Sequence, residues 1–197
     1  MRPSKFQLER DITDRFLREL GYTRFALSDP NAGQKTETGA DVLLGLNGIR
    51  YGIQVTQYHS DEGMNGGTKG STLRREEANK SAVQLTYAMC GNPSPIMALK
   101  RRIEAKSQKQ CLLAKFDERI LLIAASVPQL GAVVSTLLLD LALDLNNMNV
   151  TLSPILRTSQ YSSAYLYNMM GISGPSVYEW TMSSGVWRKI PRAGSVE

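Results

Sequence analysis

Residues 39–58 read GADVLLGLNGIRYGIQVTQY, and this stretch decides the fold class. Asp41–Leu46 and Ile49–Tyr58 are strand-like. Between them stands Asn47-Gly48, a dipeptide that readily takes the two positive φ angles of a type I′ turn. The stretch therefore predicts a β-hairpin. Side chains alternate along a strand, so residues two apart share one face.

Working outward, Ser4 to Leu20 predicts a helix. Ser4 and Gln7 have the spacing of a capping box. Leu8, Ile12, Phe16 and Leu20 share a face at i, i+4 spacing, and Gly21 stands where a helix-ending glycine belongs. Residues 23–28 predict a short strand, and 29–39, rich in Pro, Asn, Gly and Thr, a loop. Residues 60–71 (SDEGMNGGTKGS) predict a polar loop, and helices are predicted over about 72–90 and 95–109. Arg119–Ala125 is a short continuous apolar run, the mark of a buried central strand. Residues 128–146 predict a helix with Val133, Val134, Leu137, Leu138, Leu141 and Leu145 inward and Asp140 and Asp144 outward. Short strands are predicted at Pro154–Leu156 and Ala164–Asn168. Val177–Thr181 and Val186–Ile190 form a closing hairpin around Ser184-Gly185, with Trp180 and Trp187 as packing residues. No repeat or linker interrupts this order, which predicts one mixed α/β domain over 1–197.

Composition narrows the function classes. The chain has 197 residues, 42% apolar and 21% charged, enough for a folded core. Its net charge of +5 suits a polyanionic partner. The two cysteines, Cys90 and Cys111, make neither a metal-type spacing nor a disulfide framework. The start, MRPSKFQLERDITDRF, is charged throughout and is not a signal peptide. The apolar run at Leu137-Leu138-Leu139 is broken by Asp140 and Asp144 and is too short for a bilayer. A cytoplasmic protein without a membrane partner is expected. The single histidine, His59, builds neither a histidine-metal site nor a triad, and the glycines at 63, 66, 67 and 70 fit no phosphate-loop pattern.

Gly39-Ala40-Asp41, the turn, and Ile53-Gln54-Val55-Thr56 resemble the PD-(D/E)XK nuclease superfamily. More narrowly, they are similar to bacterial members whose second strand reads as an IEVT variant. The resemblance implies a restriction-endonuclease-like fold: a mixed central sheet flanked by helices, with an α-βββ-α-β core over about 4–126. Residues 127–197 are then a C-terminal α/β extension. It also implies Mg²⁺-dependent hydrolysis of phosphodiesters, with DNA the favoured substrate and a homodimer as one working form. Such chemistry needs anionic oxygens around the metal and a cation beside the phosphate.

Carried over position by position, the resemblance puts Asp41 at the first acid, Gln54 at the second and Thr56 at the lysine. Two of the three depart from the pattern. Glutamine offers Mg²⁺ a neutral carbonyl oxygen, and threonine has no ammonium group. Replacements are available on helices. Glu9 lies beside the apolar face of the first helix, where family members often carry an acid. Lys106 sits on the helix before the buried strand. Arg74, Glu77 and Lys80 share a helical face, so that Lys80 is a second candidate cation, and Arg74 and Lys69 are candidate DNA contacts. The candidate metal ligands are thus Asp41, Gln54 and Glu9, and the candidate catalytic residues Asp41, Gln54, Thr56, Lys106 and Lys80. The same departures equally fit a catalytically inactive nuclease fold that binds nucleic acid or acts as a scaffold.

Overall fold

The computed structural model describes residues 4–33, 38–58, 95–108, 116–125, 139, 143–169 and 174–191. In chain order these form α1 (Lys5–Glu19), β1 (Ala26–Ser28), β2 (Val42–Leu46), β3 (Ile49–Tyr58), α2 (Pro95–Ser107), β4 (Glu118–Ala125), α3 (Leu145–Thr151), α4 (Ser153–Arg157), β5 (Ser163–Asn168), β6 (Ser176–Thr181) and β7 (Trp187–Ile190). The expected loop at 60–71, the helix over 72–90 and most of the helix over 128–146 lie outside the described residues. So do Lys69, Arg74, Glu77, Lys80, His59, Cys90 and Cys111.

The seven strands make one mixed sheet in sequence order. β1, β2 and β3 form an antiparallel meander, β4 and β5 join in parallel, and β6 and β7 return antiparallel. Parallel neighbours need a crossover, and α2 lies in the one between β3 and β4, while α3 and α4 lie in the one between β4 and β5. The β2–β3 turn has φ of 53° at Asn47 and 78° at Gly48, the paired positive angles that its sequence predicts.

Each face of the sheet carries its own apolar cluster. Ile12, Phe16 and Leu17 of α1 pack on Val42, Leu44, Ile53, Val55, Ile120 and Leu122. On the opposite face Ile96, Leu99 and Ile103 of α2, with Met148, Leu152 and Leu156, cover Leu121, Ile123, Leu166, Trp180 and Trp187. β4 therefore contributes its even-numbered residues to one core and its odd-numbered ones to the other, which is why its sequence is apolar without alternation. Trp180 and Trp187 are a cross-strand pair, both buried, in the packing role expected of them. On the α1 face, Glu179 of β6 accepts hydrogen bonds from the Tyr165 hydroxyl at 2.9 Å and from Arg188 Nε at 2.8 Å. This three-strand ladder leaves a nearly buried carboxylate fully satisfied.

The capping box at Ser4 forms as its spacing predicts: Gln7 N–H donates to Ser4 Oγ at 3.2 Å, and Ser4 N–H donates to Gln7 Oε1 at 2.8 Å. Two local expectations are corrected. Asp144 does not lie on the outer face of a helix; it is the N-cap of α3 and accepts from Asn146 N–H at 3.0 Å. A helix that begins there turns Met148 inward and leaves Leu145 at the surface, because the capping oxygen fixes the phase of the helix. Pro154–Leu156 is not a strand. Proline opens α4, where its missing N–H costs nothing, and three apolar residues are too few to show which period they follow.

Gly52 is required by packing. A Cβ there would lie 2.4 Å from the ring of Phe116, just ahead of β4. Gly45 has no neighbour within 4 Å of the same imagined atom. Gly52→Ala should therefore lower stability by about 1–3 kcal/mol in urea unfolding, the cost of overpacking a core. Gly45→Ala should be neutral or stabilising by up to about 1 kcal/mol in the same measurement.

Candidate functional site

β2 begins one residue after Asp41, opposite the middle of β3, and the chain leaves the sheet there. The second half of β3 thus loses its partner on that side. Asp41 N–H still donates to the Ile53 carbonyl at 2.9 Å, one residue off the β2–β3 register, so the chain stays tied to β3 as the ladder ends. Asp41 Oδ2 then accepts the N–H of Val55 at 2.9 Å. A ladder N–H lies in the plane of the sheet, so the carboxylate occupies the place of the next β2 carbonyl. The Val55 carbonyl is met by Lys106 Nζ at 3.4 Å, from α2. Two side chains thus close the ladder that β2 leaves open.

The other oxygen of Asp41, Oδ1, accepts from Lys5 Nζ at 3.1 Å. The same ammonium lies 3.4 Å from Glu9 Oε1. Lys5 and Glu9 come from the first two turns of α1, which packs on one face of the sheet, while Lys106 reaches in from the helix on the other. Two carboxylates from different elements therefore share one cation, with a second lysine beside them. Burial, and then the negative charge of Asp41, push the Glu9 carboxyl above its ordinary value, against the pull of Lys5 and Lys106. For Lys5, partial burial works to lower its value, but its hydrogen bond to Asp41 and the charges of Asp41 and Glu9 outweigh that and hold it above the ordinary lysine range.

Gln54 and Thr56 are both buried, on the face that α2 covers. Gln54 Oε1 accepts the hydroxyl of Tyr161, which also lies 3.5 Å from the Lys106 carbonyl as a second acceptor. The one atom of Gln54 suited to a hard cation is thus engaged in a hydrogen bond inside the core. The structure brings Asp41, Glu9 and Lys106 together and adds Lys5; it directs the Gln54 oxygen to Tyr161 instead. Lys5 and Tyr161 had no signal in the sequence that tied them to the hairpin. The weak hint for Lys5 was its i, i+4 spacing to Glu9. For Tyr161, 107 residues from Gln54 in the chain, there was none.

Two carboxylates that hold one cation are hard, anionic oxygen donors of the kind Mg²⁺ or Mn²⁺ takes, usually with several waters completing the shell. Among the described residues no group of three or more His, Cys, Asp or Glu side chains is gathered for a metal, so the share of such a shell that the described residues supply is the pair. No family model, no curated protein and no solved structure matches the chain. Among the described residues no helix is long and apolar enough to cross a membrane.

The Tyr161–Gln54 bond predicts a stability role for Gln54. Tyr161→Phe and Gln54→Leu should each cost about 1–2 kcal/mol in urea unfolding, the range for losing a buried hydrogen bond. The double variant should cost less than the sum, because both remove the same bond.

Proposed function

We propose that the chain is a nuclease-like protein of the PD-(D/E)XK type, cytoplasmic, that acts on DNA through a divalent metal held by Asp41 and Glu9. The observation that carries this reading is the shared cation: Asp41 Oδ1 and Glu9 Oε1 both contact one ammonium, at 3.1 and 3.4 Å. The strand arrangement supports it. An antiparallel meander, a helix and a parallel fourth strand follow one another as in the restriction-endonuclease-like core. The net charge of +5 and the run Lys100-Arg101-Arg102 on α2 suit a polyanionic substrate.

Bound Mg²⁺ or Mn²⁺ would supply Lewis-acid charge to a phosphodiester and lower the pKa of a water it holds. Asp41 would hold the metal with Oδ1 while Oδ2 stays on Val55 N–H, which keeps the carboxylate fixed in the plane of the sheet. Glu9 would bring the second negative charge from the helix. Lys106 would offer its ammonium to a phosphate oxygen from the opposite layer, standing in for the lysine absent at Thr56. Gln54 would contribute through packing and its bond to Tyr161. Lys69, Arg74 and Lys80 remain candidates for contacts with the DNA backbone and the reacting phosphate.

A second reading is a catalytically inactive nuclease fold that binds nucleic acid or serves as a scaffold. The engagement of Gln54 by Tyr161 and the threonine at position 56 favour it.

Incubation of supercoiled plasmid with Mg²⁺ or Mn²⁺ separates the two. The nuclease reading expects nicking by the wild type and a loss of about 100-fold or more in Asp41→Ala and Glu9→Gln. Even outer partners of a metal ligand cost about 10–100-fold. Cleavage that persists in Asp41→Ala would refute this site. DNA binding that weakens with salt, with no cleavage under either metal, would favour the second reading.

A further inference from the structure

We propose that Lys5 is a tethered counter-ion that occupies the metal position of this site and must be expelled before a divalent cation can bind. The inference rests on the site assigned under the proposed function and concerns its regulation.

Three features of Lys5 point this way. Its Nζ lies at the one point that both carboxylates share, 3.1 Å from Asp41 and 3.4 Å from Glu9. Its side chain is 78% exposed, whereas those of Asp41 and Glu9 are 13% and 11% exposed. The acids are therefore fixed in the fold and the ammonium reaches in from solvent, free to swing out without disturbing a core. Finally, helix stability does not explain a lysine there. Position 5 is the first residue of α1, whose first turn holds no acid, and a cation at that end opposes the helix dipole. A lysine four residues before a glutamate is also the less favourable order for a helical ion pair. What the lysine gains is the pair of carboxylates, one of them 36 residues away in the chain.

A cation in this position has a clear consequence. Without metal, Lys5 offsets the repulsion between Glu9 and Asp41 and keeps them converged. When metal arrives, two ion pairs to Lys5 are exchanged for two metal–oxygen contacts, and the apparent affinity is reduced by the strength of the pairs. Ion pairs made by an exposed lysine are individually weak, so the two together should reduce affinity by about thirtyfold at most. Lys106 reaches in from the other layer: its ammonium donates to the Val55 carbonyl at 3.4 Å and acts on Glu9 as a neighbouring charge.

Mn²⁺ binding, followed by the loss of the free-ion paramagnetic resonance signal, tests this without an activity readout. The proteins are the full-length wild type, Lys5→Met, Lys106→Met and Asp41→Asn, each checked for unchanged folding by circular dichroism. Lys5→Met should bind Mn²⁺ about three- to tenfold more tightly than the wild type, Lys106→Met should tighten binding less, and Asp41→Asn should abolish it. Equal affinity of wild type and Lys5→Met, or weaker binding by Lys5→Met, would overturn the counter-ion role and leave the metal site standing. Equal tightening by the two lysine variants would also overturn it, since Lys5 would then act only as a nearby charge. Absence of binding in every protein, or binding that survives Asp41→Asn, would overturn the site itself and the role of Lys5 with it.

Discussion

The parallel ladder between β3 and β4 is the constraint on which the other elements depend. It runs unbroken from Tyr51↔Glu118 to Tyr58↔Ala125 and joins the antiparallel hairpin to the second half of the sheet. β4 is buried on both faces, so it demands helices above and below, and α1 and α2 meet that demand from opposite sides. The ladder also reaches beyond the start of β2. The last residues of β3 are held on one side by β4 and released by β2 on the other. That mismatch of strand lengths creates the in-plane gap into which Asp41 and Lys106 reach. The candidate site is thus a result of strand register before it is a matter of chemistry.

The position of Asp41 lets one carboxylate meet the sheet and a cation at once. One oxygen replaces a backbone acceptor and the other faces the cation. Removal of the side chain would leave Val55 N–H without this acceptor, so some loss of stability accompanies any loss of function at this position. Glu9 has no such double duty in the sheet. Its environment is divided: partial burial and a neighbouring acid push its carboxyl up, while two lysines pull it down.

The local signals in the sequence were strong where a short segment fixes its own geometry. Asn47-Gly48, the Ser4–Gln7 box, and the apolar run of β4 each announce their element, because turn angles, capping and two-sided burial act over a few residues. The register of α3 was not legible, since the capping oxygen of Asp144 competes with the apolar periodicity that extends through it. Of the candidate site, Asp41 was within reach of a position-by-position resemblance, and Glu9 and Lys106 were within reach only as charged residues on the helices beside it. The partner of Gln54 was not, because it enters from β5's leading turn by a contact made only once the sheet is assembled. Nor was the sharing of Lys5 between Glu9 and Asp41, which depends on how α1 is laid across the start of β2.

The approach of Phe116 to Gly52 has a historical consequence. The ring takes the volume that a side chain at position 52 would need, so neither residue can change freely while the other stays. In a lineage of such chains the two positions would drift as a pair: a larger residue at 52 would appear only with a smaller one at 116. Since position 52 lies two residues before Gln54 and Phe116 lies just ahead of β4, this pairing would mark kinship through the scaffold even where the residues of the site itself have been exchanged.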